Sequence, residues 1–158
     1  MPDSDPKPTR VVADADVLVS DLLVGGASRD ALDHLRQHSW TTLVASEPLL
    51  DDAEAIITTL ADESLAADWR EKVESWVELV DHPDGDQPAL ASAYRSGAMH
   101  LLTFDDRLTS AKTGAALGGR FPISIRHPKA FATLFSPASL YAEVADGEYP
   151  GPDRDPRA

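Results

Sequence analysis

The sequence predicts an α/β fold: a three-layer α/β/α sandwich around a central parallel sheet of about four strands. Three observations carry that expectation. Short β-branched runs alternate with amphipathic segments along most of the chain, and strands that alternate with helices build parallel sheets covered on both faces. The 158 residues, 42% of them hydrophobic, suffice for one domain with its own core. No apolar run reaches the roughly 18 residues that span a bilayer.

The elements follow in order. "RVVADADVLV", residues 10–19, reads as a strand by its β-branched content. Ser28 opens a helix over residues 28–38 as its N-cap, with Ala31, Leu32 and Leu35 on one face. "TTLVA" is a second strand. Ser46 caps a helix over residues 47–60 that tolerates Pro48 in its first turn. Residues 64–80 give a helical stripe, Leu65, Trp69, Val73, Trp76, Val77 and Val80, whose tryptophans read as core. "DHPDGD" turns into the helix "QPALASAYRSG", which Gly97 ends. "MHLLTF" is a third strand, "DRLTSAKTGAAL" a helix, "FPISI" a fourth strand and "PKAFATLF" a last short helix. Residues 1–9 and 147–158, rich in Pro, Asp and Gly, read as disordered tails around a domain over 10–146.

Acidic residues number 27 against 14 basic ones, a net charge of −13. Asp outnumbers Glu and Arg outnumbers Lys, the balance expected of a high-salt cytoplasm, so most carboxylates belong to the solvated surface. The absence of cysteine excludes disulfides and thiolate metal sites. "MPDSDPKPTR" has no apolar core of a secretory signal, which makes the cytoplasm the expected location. Between Asp106 and Glu143 no acid occurs, while Arg107, Lys112, Arg120, Arg126, His127 and Lys129 do. Such asymmetry marks a stretch facing an anion or an interface.

Against that acidic background only special positions count. Asp14 and Asp16 share one face of the first strand by its period of two. Asp105 follows an apolar strand, Asp86 opens a helix, and Asp52 lies one turn into another. In a parallel sheet these positions converge on the carboxyl edge, where ligands bind. Two carboxylates about 4 Å apart repel by roughly 4 kcal/mol at an effective dielectric of 20, so the group needs protons or a cation. Oxygen ligands without His or Cys suit Mg²⁺ or Mn²⁺.

Taken together, these motifs resemble the PIN domain, a small metal-dependent nuclease fold of ribonuclease toxins and RNA-processing enzymes. That family opens with a strand reading roughly Asp-Thr-Asn-Val-Leu, matched by "DADVL", with Asp14 on the first acid and Asp16 on the Asn. "SEPLLDD" places Asp52 on the family's helical glutamate. "DQPALASAYRSGA" places Asp86 on its third acid, and "LLTFDDRL" supplies Thr103 and Asp105 for Thr-x-Asp. "ISIRHPKAF" matches the closing strand, Pro and Phe, so the resemblance spans about residues 10–134. It implies RNA as substrate and Mg²⁺ or Mn²⁺ as cofactor. Asp14, Asp86 and Asp105 would ligate the metal, Asp52 would complete the catalytic set, and Asp16 and Thr103 would hold the ligands in place. Arg107 and Lys112 would contact the RNA backbone. An antitoxin-like protein and a second copy of the chain are the partners implied.

Two departures open an alternative. Asp52 is one methylene shorter than the family's glutamate, and Arg107 stands where many members carry another acid, which points to a catalytically degenerate PIN-fold binding module. "DADVL" and "FDD" also resemble the acidic pairs of haloacid-dehalogenase-type phosphatases, but Lys72, the candidate for that family's lysine, falls inside a helix.

Overall fold

The structure, a computed structural model, describes residues 7–81, 88–109 and 123–157. Its centre is a sheet of five strands, all parallel: β1 (Lys7–Ala13), β2 (Thr42–Ala45), β3 (Glu78–Leu79), β4 (Ala98–Leu102) and β5 (Ser124–Arg126), in the order β3-β2-β1-β4-β5. Val11, Val12 and Ala13 of the central strand are at most 1% exposed. They read as a continuous apolar run rather than an alternating one because helices cover both faces. The helices among the described residues are α1 (Ala15–Leu23), α2 (Gly26–Arg36), α3 (Glu47–Leu60), α4 (Glu63–Glu74), α5 (Pro88–Ser96), α6 (Asp106–Thr109), α7 (Pro128–Leu134) and α8 (Pro137–Val144). Helices flank this sheet, giving the three-layer sandwich. None of the described helices is long and apolar enough to cross a membrane.

Helix α3 coincides with the segment its sequence predicts. The first strand does not: it ends at Ala13, and residues 15–23 are helical. Asp14 and Asp16 therefore do not share a strand face. Asp14 is the N-cap of α1, its Oδ1 accepting from the Ala15 N–H at 2.8 Å, and Asp16 lies in the first turn. Both are favoured at a helix start, where orphan N–H groups and the dipole welcome an anion; mid-strand they would be buried without partners.

The stripe over residues 64–80 divides. Helix α4 stops at Glu74, and Trp76, Val77 and Val80 still pack on the core while the chain extends into β3 beside Val44 and Ala45. This is the fifth strand. Gly97, at φ +72°, ends α5 in the left-handed region, and its carbonyl accepts from the Lys7 N–H at 2.8 Å. Ser46 stands at the N-cap position of α3 but is fully buried and makes no capping bond; its hydroxyl accepts from Ser92 Oγ at 2.9 Å. Of the helix read over 106–117 only α6 lies among the described residues, and the 82–87 turn lies outside them.

Composition marks the C-terminal segment as a tail, yet residues 149–157 lie against α2. Asp153 accepts from the Ser39 N–H at 2.8 Å, and Arg154 donates to the carbonyls of Leu35 and His38 at 3.3 and 3.1 Å. The end of α2 leaves carbonyls without helical partners, and this irregular backbone supplies them. At the other terminus, Lys7–Thr9 already belong to β1.

His38, 1% exposed, is bonded at both ring nitrogens. Nδ1 lies 2.6 Å from the His34 carbonyl, which can only accept, so Nδ1 carries the proton; Nε2 then accepts from the Tyr149 hydroxyl at 2.6 Å. Tyr149→Phe strands a buried acceptor and is expected to cost about 1–3 kcal/mol, read as a melting temperature several degrees lower by calorimetry. An unchanged melting temperature would mean that the segment does not hold α2.

Candidate functional site

The strand order reverses at β1, with β2 and β3 on one side and β4 and β5 on the other. In open α/β sheets the crevice beyond the carboxyl ends of the strands at such a reversal is where ligands bind. Asp14 follows β1 directly, and Thr103 follows β4. The ladder continues through both: Asp14 N donates to Leu102 O at 2.8 Å, and Thr103 N to Arg126 O at 3.0 Å.

Thr103, fully buried, couples two of the acids. Its hydroxyl donates to Asp14 Oδ2 at 2.9 Å and accepts from the Asp105 N–H at 3.0 Å. Asp16 Oδ2 accepts from the Phe104 N–H at 3.1 Å. Its other oxygen, Oδ1, is buried and has no hydrogen-bond partner among the described residues. Burial first, then the charge of Asp14 and more weakly that of Asp105, push the Asp16 carboxyl up to about 6, against the lowering effect of the Phe104 and Val17 N–H groups.

Asp105 is held differently. Arg107 donates to it through its backbone N–H at 2.9 Å, Nε at 3.2 Å and a terminal nitrogen at 3.0 Å, so both carboxylate oxygens are engaged. The guanidinium hydrogen bonds hold this solvent-open carboxyl below the usual range. Beside the acids, the exposed Phe104 ring meets His127 edge-on at 4.8 Å. His127 Nδ1 in turn accepts from the Lys129 N–H and caps α7.

Asp14, Asp16, Thr103 and Asp105 thus come to one edge. Asp52 is exposed on α3 and makes no hydrogen bond or ion pair among the described residues; the carboxylates acting on Asp16 are those of Asp14 and Asp105. Asp86 and Lys112 lie outside the described residues. Among the described residues no group of three or more His, Asp or Glu is set to hold a metal ion. The orphaned Asp16 oxygen is the feature that fits a cation, and the donor set, all oxygen, suits a hard one.

Two contacts are not foreseen by sequence reasoning. One is the grip of Arg107 on Asp105, which the Asp-x-Arg spacing could have suggested as an Asx-type turn. The other is the Ser46–Ser92 bond, which no local pattern predicts.

None of the curated proteins compared with the chain matches it. A family model described as a family of unknown function (DUF7384) matches residues 5–157, nearly the whole chain and every strand of the sheet. The chain is therefore a member of this DUF7384 family.

Proposed function

We propose that the chain is a metal-dependent endoribonuclease of the PIN kind, hydrolysing RNA phosphodiester bonds at the acidic edge between β1 and β4. The observation that supports it most is the Oδ1 of Asp16, buried and without a hydrogen-bond partner among the described residues, within the field of the Asp14 and Asp105 carboxylates. A carboxylate oxygen left without a donor in a partly buried site is costly unless a cation meets it. Asp14, Asp16 and Asp105 would hold Mg²⁺ or Mn²⁺, with Asp86 as the further ligand expected from the sequence. When bound, the ion supplies polarisation of the phosphate and a water of lowered pKa.

The chain's own residues do the rest. Thr103 fixes the spacing of Asp14 and Asp105 through one hydroxyl. Asp16, expected from the resemblance to orient ligands, is itself a ligand in this reading, because its free oxygen has no other use. Arg107, 91% exposed, exchanges Asp105 for a substrate phosphate and so releases both Asp105 oxygens; Lys112 extends the same basic stretch. Asp52 is left out of the ligand set. The Asp-rich, Lys-poor composition supports work in a high-salt cytoplasm, where a Debye length of about 3 Å makes the net charge irrelevant to RNA at a distance.

The test is cleavage of a labelled structured RNA in high KCl with Mn²⁺, beside an EDTA control and Asp14→Asn. Asparagine keeps the N-cap, so the variant should fold and lose at least about 100-fold in rate. If the wild type binds Mn²⁺ and leaves RNA intact, the degenerate binding module is the better reading. The full engagement of Asp105 by Arg107 is the observation that favours it. Release of phosphate from a small phosphomonoester would favour the phosphatase instead.

A further inference from the structure

A cleft of 610 Å³ opens between α1, α2, the end of α4 and the C-terminal segment. It uses none of the acidic-edge residues, and its size falls in the range of roughly 300–1,000 Å³ typical of small-molecule sites. Its charge runs against that of the protein. The chain carries about twice as many acids as bases, yet Arg29, Arg36, Lys72, Arg154 and Arg157 line this cleft against only Asp21 and Asp155.

Part of that charge is neutralised. Arg36 donates to both oxygens of Asp21 and to Asp33, which also accepts from Arg157. Arg154 also acts on the adjoining Asp153 carboxylate and helps hold it below the usual range, which leaves Arg29 and Lys72 without an ion pair among the described residues. Arg29 donates to the carbonyls of Asp21 at 2.8 Å and Leu22 at 3.3 Å, and Arg154 to those of Leu35 and His38. Capping a helix end uses an arginine's donors without cancelling its charge. Lys72 is exposed and makes no ion pair among the described residues. The apolar part of the wall includes Trp69 and Trp76, two of the chain's three tryptophans, and Arg36 lies over the Trp76 ring at 4.8 Å from its centroid.

We propose that this cleft binds a small phosphate-bearing molecule with a planar ring, the size of a nucleoside monophosphate. Lys72, Arg29 and Arg154 receive the phosphate, and Trp76 meets the ring. Surplus positive charge in a walled cleft concentrates an anion that the rest of the surface repels. The Trp76 indole beside it, with Arg36 over one face, offers its remaining apolar surface to the ring.

The experiment is a titration of the whole chain with AMP in EDTA, followed by calorimetry and tryptophan fluorescence, with adenosine and inorganic phosphate as separate arms. AMP is expected to bind one to one with a change in fluorescence, and each fragment to bind at least about tenfold more weakly. Lys72→Glu should weaken AMP at least about tenfold and Lys72→Arg should retain it. Both variants should melt like the wild type, since Lys72 is exposed and makes no ion pair among the described residues. The proposal is overturned if AMP gives no heat or fluorescence change at millimolar concentration. It is overturned equally if phosphate binds as tightly as AMP, or if Lys72→Glu leaves the affinity unchanged. With EDTA present, none of these outcomes bears on RNA cleavage at the acidic edge.

Discussion

Asp16→Asn is expected to raise the melting temperature by about 3–6 °C at pH 7 without divalent metal, and to abolish any further rise when Mn²⁺ is added. The folded-state pKa of Asp16 is about 6, above the ordinary 3.8. Its charged form is therefore penalised by folding. The penalty is full above about pH 6, shrinks as the pH falls through that value, and is gone below 3.8. The shift sets a ceiling of about 3 kcal/mol; partial exposure of the group reduces it to about 1–2 kcal/mol. Asparagine keeps an acceptor for the Phe104 N–H and offers donors to the negative charge of Asp14 and Asp105. The gap between variant and wild type should close between pH 6 and pH 4 in thermal scans. A variant no more stable than the wild type at pH 7 would mean that the free oxygen is satisfied by solvent, and the case for a cation would lose its main support.

Asp21→Ala is expected to act in the opposite sense, lowering stability by about 2–4 kcal/mol and the melting temperature by about 5–12 °C. Asp21, 6% exposed near the end of α1, receives Arg36 from α2 on both oxygens, while its carbonyl receives Arg29. Removing the carboxylate leaves the largely buried guanidinium with Asp33 as its one ionic partner among the described residues. Asp21→Leu combined with Arg36→Met should recover most of the loss, because the cost of the single change lies in the stranded charge. If the double variant is as unstable as the single one, the packing of α1 on α2 is at fault rather than the charge.

The same residues show where sequence reasoning succeeds and where it fails. Helix α3 is legible end to end because Ser46, Pro48 and the spacing of Leu49, Leu50, Ala53 and Ile57 agree. The order of strands and helices, and with it the edge that gathers Asp14 and Asp105, is legible for the same reason: apolar runs and turns punctuate the chain. The first strand is misread because Val17, Leu18 and Val19 continue its apolar character, although Asp14 and Asp16 carry the signature of a helix start. Strand β3 is hidden because Trp76 and Val77 stay on the core after the helix has ended. The contacts of the C-terminal segment are not legible because composition reports backbone irregularity, whereas its partners lie on and just after α2, more than a hundred residues away. The basic cleft is invisible for a related reason: its five cations come from three separate stretches of chain, each ordinary alone.

Both borders of the sheet are short and guarded. Strand β3 has two residues, with exposed Glu78 paired to Arg10; strand β5 has three and runs through His127 into Pro128, which has no N–H to offer. Long flat borders template the addition of foreign strands, whereas short ones flanked by charge and proline do not. Among the described residues, neither border offers the long flat edge through which a second copy would extend the sheet.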